Sequence, residues 1–257
     1  MSAQITREER QRTILDFILR AGTATATDLA SLTGRSLMTV HRDLDDLAAR
    51  RLVRKFHGGV SALPTSVFES SSDFRLQRSV AEKAALARVA LTLVEPGMAV
   101  MLDDSTTVLA LARMLPEVAP LTVLSNYRQV LEALKDASEV NVIVIGGTYS
   151  RTHDSFIGPP DQTNLNAYAA DIAFQSTSTM DGKWTYHQEQ DVVSMKRVML
   201  QTGRRRVLLM DGSKVGQTSL HRFVPVSDFT DVIVTDDVPA DVRAEIAEVA
   251  TVHVAAD

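Results

Sequence analysis

Apolar residues at helical spacing predict that the chain begins with a helix. Thr6 and Glu9 can form a capping box, in which each side chain accepts a hydrogen bond from the other residue's backbone N–H, so the helix should begin here. Gly22 lies just past its predicted end, where a residue that tolerates positive φ is common. The apolar face of this helix consists of Ile14, Phe17 and Ile18.

Two shorter helices follow, joined by a tight turn. The first begins at a second capping box, Thr25 to Asp28, and ends at Gly34. The second begins at Ser36, whose hydroxyl can cap a helix. The predicted buried positions are Leu29 and Leu32 in the first of these helices, and Leu37, Val40, Leu44 and Leu47 in the second.

A β-hairpin and a linker come next. Residues 53–60, VRKFHGGV, alternate in polarity and contain Gly58-Gly59, which is typical of a tight hairpin turn. Residues 61–72 are rich in Ser, Thr and Pro, as flexible linkers are. We therefore expect a small domain at 1–60, a linker at 61–72 and a larger domain at 73–257.

The larger domain alternates between short apolar runs and helical patterns, which predicts an α/β fold with a mostly parallel sheet. The apolar runs are 99–102, 121–124, 140–145, 171–174, 206–210 and 231–235. The helical patterns lie near 79–94, 107–115, 127–137, 188–202 and 239–249. Ligands of open α/β sheets bind outside the carboxyl ends of the strands, so polar residues just after these runs are candidate ligand contacts.

The third predicted helix carries groups suited to DNA recognition. The residues that lie off its apolar stripe are Met38, Thr39, His41 and Arg42. Two helices joined by a glycine turn, the second with small polar and basic groups near its start, match a helix-turn-helix whose second helix enters the major groove. Arg42 can donate two hydrogen bonds to a guanine there. A plain three-helix domain with a solvated basic face is the alternative.

The hairpin adds possible contacts to the phosphate backbone, and the charge of the chain is distributed in the same sense. The basic candidates on the hairpin are Arg54, Lys55 and His57. Residues 1–60 carry ten Lys and Arg against seven Asp and Glu, whereas the rest carry 17 against 25. A polyanion is therefore attracted to the first segment and repelled by the remainder.

Several classes of protein are disfavoured by the sequence. The absence of cysteine excludes disulfides, thiolate metal sites and cysteine nucleophiles, and it fits a reducing compartment. The polar start of the chain is unlike a secretory signal, and no apolar run is long enough to span a bilayer. We therefore expect a cytoplasmic protein that has no membrane partner.

Polar clusters after the apolar runs of the larger domain define a candidate ligand site. Thr106 and Thr107 would lie at a helix start, where free N–H groups favour an anion, and Lys214 would add a full positive charge. The expected ligand is small, polar and phosphorylated. Each cluster alone is more typical of a cap or a turn, so their convergence on one sheet edge is what favours a site. The clusters are Asp103-Asp104-Ser105-Thr106-Thr107, Ser125-Asn126, Gly146-Gly147, Ser176 to Thr179 and Asp211 to Lys214.

Segment 25–60 resembles the helix-turn-helix of the DeoR/GlpR family of bacterial transcriptional regulators. Ser36 to Leu44 matches the family pattern of Ser, two variable residues, Thr, an aliphatic residue, a basic pair, Asp and Leu, and His57-Gly58-Gly59 matches the end of its wing. The resemblance implies binding to double-stranded operator DNA. The first basic position, usually Arg, is His41 here, which leaves the operator sequence open. The predicted DNA-binding residues are Ser36, Met38, Thr39, His41, Arg42, Arg54, Lys55 and His57.

The resemblance continues from about residue 74 to 236. It implies a sensor domain that resembles sugar-phosphate isomerases in fold and senses a phosphorylated sugar or related metabolite. Ser105 replaces the family's usual Gly, and Gln175-Ser176 replaces its usual apolar-Gly pair, so an altered ligand is expected. The predicted effector-binding residues are Asp103, Asp104, Ser105, Thr106, Thr107, Ser125, Asn126, Gly146, Gly147, Ser176, Lys196, Asp211 and Lys214.

The predicted function is that of a sequence-specific DNA-binding transcriptional regulator, a repressor of a sugar-catabolic operon. Helix-turn-helix proteins commonly pair to read two half-sites, so a homo-oligomer, either a dimer or a tetramer, is expected. We expect no cofactor, no metal and no catalytic residue.

Two other functions were weighed against this one. An active sugar-phosphate isomerase needs a carboxylate base over the substrate carbon. Ser176 to Thr179 stands where ribose-phosphate isomerases carry an acidic cluster, and acidic residues return only at Asp181. Asp103 and Asp211 remain as possible bases, so catalysis is disfavoured. A ligand-binding protein whose basic segment contacts a partner protein is disfavoured by the specific pattern from Ser36 to Leu44.

Overall fold

The described residues of the computed structural model are 6–50, 52–56, 58–62, 72–158 and 165–256. The chain divides into two compact units, Met1–Gln77 and Arg78–Asp257. Most of the predicted linker lies outside the described residues, as does the predicted DNA contact His57.

The first unit is a small helical domain with a three-stranded antiparallel sheet. Its helices are α1 (Arg7–Ala21), α2 (Ala26–Thr33), α3 (Leu37–Ala49) and α4 (Ser72–Gln77). Its strands are β1 (Thr23–Ala24), β2 (Val53–Phe56) and β3 (Gly59–Ala62). The strand order is β1-β3-β2, so β3 joins the hairpin to the short strand after α1. This arrangement of helices and hairpin is a winged helix-turn-helix.

The predicted helix ends of this unit are confirmed. Thr6 with Glu9 and Thr25 with Asp28 form complete capping boxes, and Gly34 ends α2 in the left-handed conformation at φ 63°. One prediction within the apolar stripe of α3 is wrong: Leu37 is 48% exposed, whereas Val40, Leu44 and Leu47 are buried. Leu37 is the first residue of the helix, so its side chain lies beyond the edge of the core. Leu32 of α2 is also exposed rather than buried.

The second unit is an α/β domain, as predicted. Its helices are α5 (Val80–Leu91), α6 (Thr106–Ala112), α7 (Arg128–Leu134), α8 (Gln190–Thr202) and α9 (Ala240–Ala247). The strands of its central sheet are β4 (Ala99–Leu102), β5 (Leu121–Ser125), β6 (Val140–Val144), β9 (Ala170–Gln175), β12 (Gly203–Met210), β14 (Asp231–Thr235) and β15 (Thr251–Ala255). The peripheral strands are β7 (Thr148–Ser150), β8 (Ser155–Ile157), β10 (Thr179–Met180), β11 (Trp184–His187) and β13 (His221–Pro225).

All six predicted strands and all five predicted helices of this unit are present, and the central sheet is parallel throughout. The sequence analysis missed β15, which pairs with β14 at one edge of the sheet. It also missed the two small antiparallel sheets, β7-β8 and β10-β11-β13. Their strands are mostly two to five residues long and rich in polar residues, so they lack the apolar runs that marked the central strands.

The strand order of the central sheet fixes where a ligand can bind. The order is β15-β14-β12-β9-β4-β5-β6, so the chain adds strands in one direction from β4 and in the other direction from β9. Strands β4 and β9 are neighbours, with Leu102 opposite Phe174 at their carboxyl ends. The loops that follow them diverge, and such a switch point is where open α/β sheets form their ligand crevice. The residues after Leu102 and Phe174 therefore belong to one candidate site.

Candidate functional site

Helix α3 exposes the residues predicted to read DNA. Met38 is 67% exposed, and His41 and Arg42 are also exposed. Thr39 donates its backbone N–H to Ser36 Oγ at 3.3 Å, and the two hydroxyl oxygens are 3.0 Å apart. Ser36 therefore caps the helix, which pre-organises the turn that a recognition helix would present to the major groove.

A buried carboxylate that the sequence analysis passed over fixes α3 against α1. Arg10 donates to both Asp43 oxygens, from Nε at 2.6 Å and from a terminal guanidinium nitrogen at 3.0 Å. Gln11 Nε2 donates to the same carboxylate at 3.2 Å. The hydrogen bonds from the guanidinium raise the pKa of Arg10 despite its partial burial. The Asp of the Ser36 to Leu44 pattern thus has a structural role in this chain.

The hairpin places Lys55 beside the recognition helix. Lys55 Nζ lies 2.6 Å from Asp45 Oδ1, and both side chains are exposed. The ammonium group of Lys55 lowers the pKa of the Asp45 carboxyl. Asp45 would compete with a phosphate for Lys55, whereas Arg54 is exposed on the neighbouring position of β2.

At the carboxyl edge of the central sheet, Lys196 of α8 joins two buried aspartates. Its Nζ donates to Asp103 Oδ2 at 2.5 Å and to the Ser176 carbonyl at 3.2 Å, and it lies 3.2 Å from Asp104 Oδ1. Burial opposes the positive charge, but the two carboxylates outweigh it, so the pKa of Lys196 is raised. Lys196 is therefore occupied by protein carboxylates, and we assign it the positioning of Asp103 and Asp104.

The two aspartates are held on their remaining sides. Asp103 accepts the backbone N–H of Ser105 and of Ser176, both at 3.0 Å, and so joins the loops after β4 and β9. Asp104 Oδ2 accepts the hydroxyl of Ser155 at 2.8 Å, which adds the β7-β8 hairpin to the same cluster. Each of these groups is buried.

Lys214 supplies a second positive charge, and it is more accessible than Lys196. Its Nζ lies 3.3 Å from Asp211 Oδ2 and 3.4 Å from the Ser176 hydroxyl, and its side chain is 26% exposed. Burial raises the pKa of Asp211, but Lys214, the Ser213 hydroxyl and the more distant Lys83 outweigh burial and lower it. Lys214 is therefore the cation placed to meet an anionic group at this edge.

Several buried polar atoms at this edge have no hydrogen-bond partner among the described residues. Buried polar groups are almost always satisfied, so a concentration of exceptions calls for an explanation such as a bound ligand. Asp211 Oδ2 is one of these atoms, because Lys214 Nζ lies 3.3 Å from it without the geometry of a hydrogen bond. The atoms at this edge are Thr107 Oγ1, Asn126 Oδ1, His153 Nε2, Gln175 Oε1 and Asp211 Oδ2.

The remaining predicted effector residues differ in their surroundings, and some of them have local structural roles. Ser105 Oγ accepts the Val108 N–H and caps α6, and Ser125 Oγ accepts the Tyr127 N–H. Gly147 lies against β8, because a Cβ there would come within 2.9 Å of the Ile157 carbonyl. Thr106 and Thr107 begin α6 and are buried. Gly146 is exposed, and nothing lies within 4 Å of where its Cβ would be.

Over the described part of the chain, no helix is both long enough and apolar enough to cross a bilayer. No group of three or more His, Cys, Asp or Glu residues within the same ranges could hold a metal ion.

Two family models match the chain, one in each unit. The model of the DeoR-like helix-turn-helix domain matches residues 10–66. The model of the DeoR C terminal sensor domain matches residues 78–237, which is more than half of the chain.

Curated relatives match along most of their length. The chain is 32% identical to the uncharacterized HTH-type transcriptional regulator YgbI of Escherichia coli (strain K12), over 90% of this chain and 91% of that protein. It is 30% identical to the HTH-type transcriptional repressor GlcR of Bacillus subtilis (strain 168), over 90% and 89% of the two chains. It is 29% identical to the L-fucose operon activator of Haemophilus influenzae, over 90% and 92%.

Proposed function

Because the chain belongs to the DeoR family of transcriptional regulators, we propose that it represses a sugar-catabolic operon under the control of a phosphorylated sugar or related metabolite. The relatives are named as regulators, both repressors and activators, and one of them is named for a sugar operon. The protein is thus a DNA-binding regulator by family, and the operon, the sign of regulation and the effector are what we propose.

The DNA-binding part of the proposal rests on α3 and the hairpin. We assign the DNA-binding domain to 1–60, the linker to 61–72 and the effector domain to 73–257. Exposed Met38, His41 and Arg42 support base contacts by α3, and exposed Arg54 and Lys55 support phosphate contacts by β2. The Ser36 and Thr39 hydroxyls, which already bond each other, would reach phosphates or bases from the helix start.

The effector part of the proposal rests on one observation: several buried polar atoms that lack partners among the described residues follow the carboxyl ends of the central strands, the edge that also carries Lys214. Lys214 is the anion contact in this proposal, and Asp103 and Asp104 accept ligand hydroxyls. Asn126 and Thr107 offer further hydrogen bonds. A phosphorylated, hydroxyl-rich ligand matches this mixture of one accessible cation and several acceptors.

An isomerase function is not favoured. Asp103 is ion-paired with Lys196 and Asp211 with Lys214, so each carboxylate is held by a cation and neither is poised as a general base, although a paired carboxylate still accepts a ligand hydroxyl. Ser176 to Thr179 supplies hydroxyls and no carboxylate after β9. The family and the relatives are regulators rather than enzymes.

The regulator would act in the cytoplasm as a homo-oligomer. Helix-turn-helix proteins commonly meet two half-sites about one helical turn apart, which requires paired recognition helices, as in a dimer or a tetramer. Sedimentation of the full chain with and without operator DNA measures the oligomer. A monomer that binds one half-site with full affinity would exclude this part of the proposal.

The experiment that tests the function is footprinting upstream of the chain's own gene, repeated with a panel of sugar phosphates. We expect a protected site that contains two related half-sites and is lost when one compound of the panel is added. Deletion of the gene should raise transcription of the adjacent operon. A fall in transcription would identify an activator instead, and a footprint unaffected by every compound would count against the effector.

A further inference from the structure

His153 lies in the turn between β7 and β8 and is a buried histidine that neither the sequence motifs nor the proposed function uses. It is 1% exposed, and its Nε2 lies 3.0 Å from Glu189 Oε2. Within the described ranges, no hydrogen bond of ordinary geometry reaches this nitrogen. A neutral or protonated imidazole that is buried in this way needs a partner, because an unmet hydrogen bond costs free energy.

The turn that carries His153 is fixed by its neighbour. Asp154 has a left-handed backbone, at φ 55°, which is uncommon for a residue other than glycine. Its carboxylate accepts two hydrogen bonds from Arg128, at 2.6 and 2.8 Å, one from Gln129 at 2.7 Å and one from Tyr149 at 2.6 Å. This clasp ties the hairpin to the start of α7, so the positions on either side of Asp154 are set by the fold.

The residues on either side of Asp154 each contact an acidic side chain. Ser155, on one side of Asp154, donates to Asp104 of the candidate effector site. His153, on the other side, meets Glu189, which immediately precedes α8, the helix that carries Lys196. Glu189 is placed by its own backbone N–H, which donates to His187 Nδ1 at 3.1 Å. The β7-β8 hairpin therefore contacts both Asp104 and Glu189, the residue that precedes α8.

We propose that His153 and Glu189 form a specificity-determining subsite that recognises a hydroxyl group of the effector. This inference rests on the proposed effector site and adds to it a second position, at the turn between β7 and β8. A hydroxyl both donates and accepts one hydrogen bond, so it matches an imidazole N–H beside a carboxylate oxygen. The Glu189 side chain is 43% exposed and can turn toward a ligand, whereas His153 is held by the clasp.

The charges of the two ends give the ligand a direction. A phosphate at the Glu189 end would meet the carboxylate of Glu189, and like charges at contact are unfavourable. At the other end, Lys214 offers a cation beside the Ser176 hydroxyl. The effector class that fits is a sugar phosphate whose phosphate contacts Lys214 and one of whose hydroxyls contacts His153 and the turned side chain of Glu189.

The test is a double-mutant-type cycle, in which a protein side chain and a ligand hydroxyl are removed separately and together. Glucose 6-phosphate, ribose 5-phosphate and similar sugar phosphates are titrated calorimetrically into the full-length protein, and the tightest binder is compared with its single-deoxy analogues. We expect one deoxy analogue to bind ~10- to 100-fold more weakly, because a buried polar group then loses its partner. In His153→Leu the parent compound should weaken by a similar factor, and the difference between parent and deoxy analogue should disappear.

Glu189→Gln, which preserves the shape of a side chain at the surface, serves as the second variant in case His153→Leu folds poorly. It should reduce the same discrimination, while Glu117→Gln, an exposed control, should not. Unchanged discrimination in both His153→Leu and Glu189→Gln would overturn the subsite and leave the effector proposal standing. If no sugar phosphate binds the wild-type protein, the effector proposal itself falls, and the subsite falls with it.

Discussion

Arg10 and Asp43 form a two-pronged ion pair that joins α1 to the recognition helix, with donor–acceptor distances of 2.6 and 3.0 Å. Asp43 is buried and immediately follows exposed Arg42 in α3, so the carboxylate fixes the helix next to a predicted DNA contact. Gln11 adds a third hydrogen bond to the same group. The orientation of α3 therefore depends on side-chain contacts between α1 and Asp43.

Replacing Asp43 should loosen this contact. In Asp43→Ala the guanidinium of Arg10 loses its partner, and the first unit should lose about 1–3 kcal/mol of stability. Hydrogen exchange of α1 and α3, measured by mass spectrometry on the full chain, reports this unit separately from the second one. Asp45→Ala, at an exposed position on the same helix, is the matched control and should change exchange little. Equal protection in both variants would show that the Arg10 contact contributes nothing.

Arg42 and Lys55 should differ in how they affect DNA binding. Arg42→Ala should weaken binding to the operator by roughly 1–3 kcal/mol while nonspecific binding changes little, because a paired contact to guanine carries sequence information. Lys55→Ala should weaken binding to all duplexes alike. The slope of log affinity against log salt concentration should fall in magnitude by about one, because one phosphate contact is lost. Fluorescence anisotropy titrations over a range of salt concentrations measure both. Unchanged selectivity in Arg42→Ala would rule out α3 as the reading helix.

The Lys55–Asp45 ion pair adds a refinement to that measurement. Asp45→Asn removes the carboxylate that competes with phosphate for Lys55, so DNA binding should become tighter at low salt. The gain should be lost in the double variant with Lys55→Ala, since no lysine remains to be released. A gain that persists in the double variant would mean that Asp45 repels DNA without acting through Lys55.

The sequence predicted those features that depend on residues close together in the chain. Capping boxes at Thr6 and Thr25 need only neighbouring residues, and each is present as predicted. Apolar runs likewise marked six of the central strands, because burial on both faces requires continuous apolar sequence. The fold class and the regulator family followed from these patterns and from the motif at Ser36 to Leu44.

What the sequence could not supply were pairings between distant elements. Asp43 sits within a stripe of leucines, and only its contact with Arg10, 33 positions away, explains why a carboxylate is buried there. Lys196 stays a predicted effector contact, but nothing in the sequence indicated its ion pair with Asp103, 93 positions away. His153 was missed because its burial depends on the clasp around Asp154. An Asp or His at an otherwise apolar or turn position is a weak signal, and the tertiary partner is what gives it meaning.

Acid should weaken the second unit through Asp231. Burial raises the pKa of this carboxyl, but hydrogen bonds from Arg205, His253 and Thr230 outweigh burial and hold the pKa well below its ordinary value of 3.8. A depressed pKa in the folded state means that this stabilisation is present above the unfolded value and is lost as the pH falls below about 4. The difference in unfolding free energy between wild type and Asp231→Asn should therefore shrink from pH 6 to pH 3.

The fluorescence of Trp184 makes this measurement specific, because it is the chain's single tryptophan and lies in the second unit. Urea titrations of both proteins at several pH values give the two free energies. Asp241→Asn, an exposed carboxylate at the start of α9, is the control and should follow the wild type at every pH. A gap between wild type and Asp231→Asn that is constant over this range would contradict the assignment.

Substitution of Lys196 should reduce the stability of the second unit far more than substitution of Lys214, although both lysines lie at the same edge of the sheet. Lys196→Met leaves Asp103 and Asp104 buried without their cation, and removal of one partner from a buried pair typically costs about 3–5 kcal/mol, so the second unit should be strongly destabilised. Lys214→Ala removes a partly exposed side chain and leaves the buried Asp211 without this cation, so a smaller loss of stability is expected and the domain should stay folded. The Trp184 signal in urea separates the two outcomes.

The functional consequence is confined to Lys214→Ala. An effector changes DNA affinity only by binding two conformations unequally, so a variant that cannot bind it stays in its ligand-free state. Operator affinity without effector should therefore equal that of the wild type, because the recognition helix is untouched, while the response to the effector is lost. For a repressor that is released by its ligand, the result in cells is repression that persists in the presence of the sugar.

Lys214→Arg is the matched variant, since it keeps the positive charge and should retain part of the response. Calorimetric titration of the effector, run beside operator binding with and without it, distinguishes lost ligand binding from lost coupling. If Lys214→Ala binds the effector as tightly as the wild type and still responds to it, the lysine is not part of the site. The anion would then have to be held by the backbone N–H groups and hydroxyls near Thr107 and Ser176, and the direction assigned to the ligand would lose its positive end.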